Sequence, residues 1–191
     1  TKIYYRNVLH KKIYHSIRDN YSLSMIQKCG LDNFLHTCCP STWNLPCDFI
    51  NKFDSSLDTV LMMLTNYYRD MEYDTSMTEE IIKTGAREIY FFPQSQEDVA
   101  YLTTLPAYQK NRPKFRIMEH SLTELNNLLK SVRLNHIGTR LHGGIKSLAY
   151  GHPTAIIGLD NRAIEMGKSV NLNVIERNNV AGLRSWISGQ M

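Results

Sequence analysis

Between Thr59 and Ile187, short apolar runs take turns with stretches of helical period. That rhythm limits the fold more than any other property of the chain. Residues 59–64 (TVLMML), 88–92 (EIYFF), 114–118 (KFRIM), 134–138 (LNHIG), 153–158 (PTAIIG) and 173–175 read as strands. Helices are predicted between them. One spans about 76–84 with Gly85 as its stop, and one follows an N-cap at Ser95, with Asp98 three residues on, close to a capping box. Another follows Ser121 with Glu124 three residues on, and further helices cover 141–150 before Gly151, 163–168 and 180–187. Strands separated by helices of this length need crossover connections, hence a doubly wound parallel sheet. Runs such as VLMMLT and PTAIIG lack strict alternation, as expected of strands covered on both faces. The expected class is α/β: a Rossmann-like parallel sheet with helices on both faces.

Before Ser56 the pattern is shorter. Residues 14–17 read as a strand ending at Arg18-Asp19, 22–29 as a helix closed by Gly30, and 34–36 as extended. Residues 40–46 are turn-rich, and 47–56 have no clear period and read as a link. Residues 1–55 are therefore expected to be the tail of a preceding Rossmann-like unit plus linker, and 56–191 a complete unit. The chain opens TKIYYRNVLH without an initiator Met and soon meets a strand-helix pattern already under way. A fragment lacking most of an N-terminal domain is the expectation.

Composition removes several function classes. A hydrophobic content of 42% with 21% charged residues suits a cored protein, and a formal charge of +4 is too mild for a nucleic-acid footprint. No apolar run approaches the roughly 18 residues needed to span a membrane. Four cysteines (Cys29, Cys38, Cys39 and Cys47) fall in the first quarter, but their spacing does not match the paired ligands of structural zinc. They read as reduced thiols of a cytoplasmic protein. His10, His15, His36 and His120 have no metal-like spacing and read as structural or surface residues.

In an open parallel sheet, ligands bind outside the carboxyl ends of the strands. The polar residues directly after predicted strands are Arg18 and Asp19, Asn66 and Arg69, Gln94, Glu119 and His120, Arg140 and His142, and Asp160 with Arg162. A rim with this many guanidinium groups calls for an anion, since the planar fork matches carboxylate and phosphate. The run Thr139-Arg140-Leu141-His142-Gly143-Gly144 opens a helix, so free N–H groups and the helix dipole face whatever Arg140 contacts. Gly143 and Gly144 leave room for an anion or a neighbouring backbone. His142, in the first turn, is placed to hold an anion and move a proton near neutral pH. Blander readings stand beside these: Arg69 as a solvated loop residue, Asp160 as a helix cap, and Gln94 as a backbone ligand. Tyr67-Tyr68 beside Arg69 could line a sugar pocket.

Three segments carry a resemblance. GTRLHGGIKSLAYGHPTAIIGLDNR resembles the signature of the polysaccharide pyruvyl transferases, HSIRDNYSLSMIQKCG is similar to that family's strand-Arg-Asp-x-x-Ser-helix element, and FFPQSQEDV to its strand-Pro-Gln segment. The similarity spans about 14–178. Two departures stand out: Gly143-Gly144 and Lys146 where alanines and apolar residues are commoner, and Asn161-Arg162 after Asp160 where proline-lysine is usual. The resemblance implies a glycosyltransferase-B-like fold of two Rossmann-like domains, of which this chain would hold the C-terminal, donor-binding half. It also implies transfer of the enolpyruvyl group of phosphoenolpyruvate to two hydroxyls of a sugar, in a cell-surface or exopolysaccharide precursor. Arg140 and His142 would then be catalytic. Arg69, Arg18, Gln94, Glu119, Gly143, Asp160 and Arg162 would bind substrate. No cofactor is expected beyond phosphoenolpyruvate as donor substrate, and no metal. The partners implied are a sugar or lipid-linked oligosaccharide acceptor, the latter bringing the enzyme peripherally to a membrane, and no nucleic acid. Two rivals stay open: a nucleotide-sugar glycosyltransferase of the same architecture, with Glu119 as its ribose carboxylate, and a non-catalytic homologue.

Overall fold

The computed structural model describes residues 2–46, 49 and 52–190. Its main body is a six-stranded, wholly parallel sheet built from β3 (Thr59–Met63), β4 (Glu88–Phe91), β5 (Phe115–Ile117), β6 (Asn135–Gly138), β7 (Thr154–Gly158) and β8 (Val174–Glu176), in the order β5-β4-β3-β6-β7-β8. Counted within this unit, that order is the Rossmann arrangement. β3, β6 and β7 are buried along their whole length, which explains why their sequences do not alternate.

Helices α3 (Met71–Lys83), α4 (Gln96–Thr104), α5 (Pro106–Asn111), α6 (Leu122–Ser131), α7 (Leu141–Ala149), α8 (Asn161–Val170) and α9 (Val180–Ile187) complete the crossovers. Side chains alternate across β3, so Val60 and Met62 join Ile81, Phe91, Leu102 and Trp186 in one cluster. Leu61 and Met63 meet Leu125 and Leu129 of α6 in another. A third joins Ile145 and Leu148 of α7 to Ile156 and to Met166 of α8.

Helix starts differ from the sequence reading at three places, and caps explain them. The helix expected at 22–29 begins at Asn20, behind an Asp19 cap. α3 begins at Met71 rather than near 76, because the Asp70 carboxylate accepts from the N–H groups of Glu72 and Tyr73, both at 3.2 Å. α8 begins at Asn161 rather than 163, because Asp160 accepts from Ala163 N at 3.0 Å. α4 and α5 part at Leu105-Pro106, where the residue before proline is driven out of the helical region (φ −73, ψ 125). The helix end expected at Gly151 is formed by that glycine at φ +79.

The first part of the chain holds α1 (Lys2–Val8), which the sequence reading did not assign, then β1 (His15–Ile17), α2 (Asn20–Lys28) and β2 (Phe34–His36). β1 and β2 pair in parallel as a separate two-stranded sheet. Asp19 caps α2 through Ser22 N at 2.7 Å. A 3₁₀ turn, Pro40–Thr42, packs on α7, while Cys39, Leu45 and Phe49 lie against the α7–α8 cluster. Cys29, Cys38 and Cys39 are free thiols, and Cys47 lies outside the described residues, as does part of the expected link at 47–56. Among the described residues, no helix is long and apolar enough to cross a membrane.

Candidate active site

The strand order reverses between β3 and β6, and the crevice outside their carboxyl ends is where such sheets take ligands. The two strands approach closely there: a Cβ on Gly138 would lie 2.6 Å from Met63 O, so only glycine fits. Beyond them Thr139 Oγ1 donates to Thr65 Oγ1 at 3.0 Å.

Arg140 leaves β6 at this point and turns inward. Its Nη2 donates to both carboxylate oxygens of Asp98 at 2.7 Å, and its Nε to Leu64 O at 3.0 Å. Tyr67 lies under the guanidinium, 5.2 Å from ring centroid to Cζ. Asp98 is fully buried and also accepts from Asn66 N, Asn66 Nδ2 and Gln94 N, at 3.1, 2.8 and 2.8 Å. Two expectations change here. Asp98 is not the reciprocal partner of a capping box: Ser95 makes no side-chain cap and instead accepts from Asn66 Nδ2 at 2.9 Å. Arg140, only 12% exposed, spends its Nη2 and Nε on protein acceptors and locks the ends of β3, β4 and β6 together. Its first role is to position the crevice.

The glycines after it serve packing toward the sheet. A Cβ on Gly143 would meet Met63 Sδ at 2.3 Å, and one on Gly144 would meet Ile156 Cγ1 at 2.4 Å. They let α7 lie flat against β3 and β7, which carries His142 down to the strand ends. A close approach of an anion is not what requires them.

His142 is exposed at one edge and lines a cavity of about 340 Å³ with Gln94, His120, Gly143 and Lys146 over a floor of Phe92, Leu122 and Leu125. No carboxylate lines it. On its other side His142 Nε2 stands 3.8 Å from Cys39 Sγ, which accepts from Ser41 Oγ at 3.1 Å. Its pKa lies below the ordinary histidine value. Lost hydration from the packed surroundings is the larger cause, and the Arg162 and Arg18 guanidinium charges follow in that order. Free His142 is therefore neutral at pH 7, and an anion bound among these cations would favour its protonated form.

The other candidates sort by place. Arg18 is exposed and pairs with Asp19 at 3.5 Å; Arg162 pairs with Asp160 at 3.2 Å, and its Nε is buried without a partner. Gln94 lines the His142 cavity, while its backbone N–H donates to Asp98. Asp160 caps α8 and lines a different cavity. Arg69 bonds through Nε to Asn66 O at 2.9 Å and lies over the Tyr101 ring at 5.1 Å, away from the lining of the His142 cavity. Glu119 lines a separate cavity of about 680 Å³ with Tyr90, Arg116 and Asn127. His120, set aside on its sequence spacing, belongs to the His142 cavity and packs edge-on against Phe92.

Several residues escaped sequence reasoning. Cys39 is 103 positions from His142, a pairing that no local spacing announces. Asp74 is buried and accepts from Tyr101 Oη and from Arg177 Nη2 at 2.7 Å, tying α3 and α4 to the end of β8. Burial raises the Asp74 pKa against the lowering effect of those partners.

A parallel sheet in Rossmann order, with an acid-free cavity beside the strand ends, defines an α/β protein of the doubly wound class. The family is shown by sequence: the model of the polysaccharide pyruvyl transferase family matches residues 1–161, and the chain belongs to that family. No curated protein matches the chain. Among solved structures, the crystal structure of TarM superposes with a TM-score of 0.53 at 12% identity. The match covers 91% of this chain and 35% of TarM, so the chain spans about a third of that protein's length. This likeness concerns the fold, and it fits the glycosyltransferase-B-like class.

Proposed function

We propose that the chain is the donor-binding part of a transferase that moves the enolpyruvyl group of phosphoenolpyruvate to a sugar, as a pyruvate ketal, with release of phosphate. The observation that carries this reading is the place of His142 on an acid-free cavity that Lys146 also lines, where the charges of Arg162 and Arg18 act on the imidazole. The donor has a carboxylate, a phosphate and an apolar methylene. Lys146, Arg162 and Arg18 offer cations for the first two, and Phe92, Leu122 and Leu125 offer apolar surface for the third.

A proton from His142, charged once the donor's anions are bound, would add to the methylene carbon and leave a cationic centre at C2. One sugar hydroxyl attacks that centre and gives its proton back to His142. Phosphate then departs with its bridging oxygen as the second hydroxyl closes the ketal. Of the two hydroxyl protons lost, one ends on the new methyl group and the other on phosphate. Arg140 holds the strand ends on which the group rests, through Asp98. A nucleotide-sugar donor would want Glu119 beside this cavity, whereas Glu119 lines another.

Incubation of the full-length protein with phosphoenolpyruvate and a panel of sugars, with phosphate release as readout, tests the proposal. His142→Ala is expected to slow acceptor-dependent release by about 10²–10⁴. Arg162→Ala and Arg18→Ala should raise the KM for the donor. Undiminished release from folded His142→Ala protein would overturn the assignment.

A further inference from the structure

A second cavity, of about 290 Å³, lies at the carboxyl ends of β7 and β8 and the start of α3. It is lined by Tyr68 and Tyr73, by Asp160 and Asn161 at the start of α8, and by Glu176, the last residue of β8, with Asn178 beyond it. Tyr68 is 56% exposed, and the Arg177 guanidinium stands over its ring, 6.0 Å from the centroid. Arg177 is itself held by Asp74, so the ring rests on a fixed base.

The chemistry of these walls narrows the occupant. Carboxylates outnumber cations: Asp70, Asp160 and Glu176 face a single arginine, and that arginine is neutralised by Asp74. An anion such as the donor is disfavoured here. The lining combines flat aromatic faces with exposed carboxylate and amide acceptors, which suits a ligand with C–H faces and many hydroxyl donors. The volume sits at the low end of small-molecule pockets, room for one ring and not for a nucleoside diphosphate.

We infer that this cavity binds one pyranose ring of a neutral glycan, the acceptor of the reaction proposed above, on which the word acceptor depends. The ring would stack on Tyr68 and give hydroxyl hydrogen bonds to Asp160, Glu176 and the Asn161 and Asn178 amides. Asp160 forms a wall of this cavity and is ion-paired to Arg162, one of the cations acting on His142. The same short segment therefore borders both the glycan and the anion. Glu176, Arg177 and Asn178 lie beyond the 1–161 span of the family match, so this wall belongs to the chain's own C-terminal part.

Saturation-transfer NMR on the full-length protein, with the methyl glycosides of glucose, galactose, mannose and N-acetylglucosamine, tests this. At least one should bind. Tyr68→Ala and Asn178→Ala should each weaken it about three- to tenfold, the worth of one ring contact or one hydrogen bond. Asn127→Ala, in the cavity beside Glu119, should leave it unchanged. Tyr68 and Asn178 are exposed, so both variants should fold. Binding by none of the four glycosides, or binding that survives both substitutions, overturns the inference. Phosphoenolpyruvate titrated into the same samples separates the two ideas. Donor binding without glycoside binding removes the glycan cavity and keeps the transferase reading. Glycoside binding that depends on Tyr68, with no donor binding, does the reverse.

Discussion

Arg140 and Arg18 both follow a parallel strand and precede a helix, yet they are put to opposite uses. Arg140 sits over a sheet whose central strands are wholly buried, and it turns inward onto a carboxylate with no exposure of its own. Arg18 stands at the end of a two-stranded sheet and is 48% exposed, with only its neighbour Asp19 as partner. The surroundings differ in the same sense. Among the described residues up to Pro46, only Asp19 and Thr42 are buried, and no apolar side chain is. From Thr59 onward three apolar clusters fill both faces of the sheet. A guanidinium over a closed core is drawn into structural pairing, because an unpaired buried carboxylate is costly. One over an open surface stays half exposed, with only a sequence neighbour as its partner.

The largest expected effect breaks the inward pair. Asp98→Ala leaves Arg140 without its carboxylate and strips the acceptor from Asn66 N and Gln94 N, and should cost about 3–5 kcal/mol of unfolding free energy. Arg18→Ala should cost at most about 1 kcal/mol, since Ser22 still bonds Asp19. Urea unfolding of the two variants checks the contrast, and equal losses would erase it. The same asymmetry should appear with apolar residues. Phe91→Ala empties a fully buried site and should cost about 3–5 kcal/mol. Leu35→Ala, at an exposed strand position, should stay within about 0.5 kcal/mol.

Acid should act on the closed unit first. His136 is fully buried, bonded through Nδ1 to Ser147 Oγ at 3.0 Å, and burial pushes its pKa down to about 3. His152, beneath the same helix, is lowered for the same reason. The unfolded chain binds these protons near pH 6.5 while the folded one resists them. Their stabilising contribution is therefore complete above about pH 6.5 and falls below it, for His136 by about 1.4 kcal/mol per pH unit down to about pH 3. Unfolding midpoints across that range measure the slope. His136→Gln should flatten it relative to the parent protein.

The sequence rendered the second unit legible because each strand there is continuous apolar chain bounded by caps and glycines, as in PTAIIG before the Asp160 cap. It also pointed to the strand ends as the place where chemistry would gather. Direction was what it lacked. Arg140, Arg69 and Arg162 all follow strands, but one turns to Asp98, one to Tyr101, and one to Asp160 beside His142. Those outcomes depend on partners 42, 32 and 2 positions away, set by the crossing of helices over the sheet. Asp98 itself imitated a cap at three residues from Ser95, and only its burial against Arg140 reveals its use.

The finest test concerns the charge that the outward arginines keep. If Arg162 and Arg18 lend their fields to the His142 crevice, they hold the imidazole in its neutral form, and removing either must raise its pKa toward the ordinary histidine value. Arg162→Gln should raise it more than Arg18→Gln, following the order of their influence. Asp98→Asn, on the inward pair, should leave it nearly unmoved. The imidazole resonance of His142, followed by NMR titration in the three variants, reads this directly. An upward shift in the two outward variants alone would show that the cations are held at His142. Shifts of similar size in all three, downward in Asp98→Asn because that variant loses a negative charge, would mean that the crevice senses net charge, with no distinction between the paired arginine and the exposed ones.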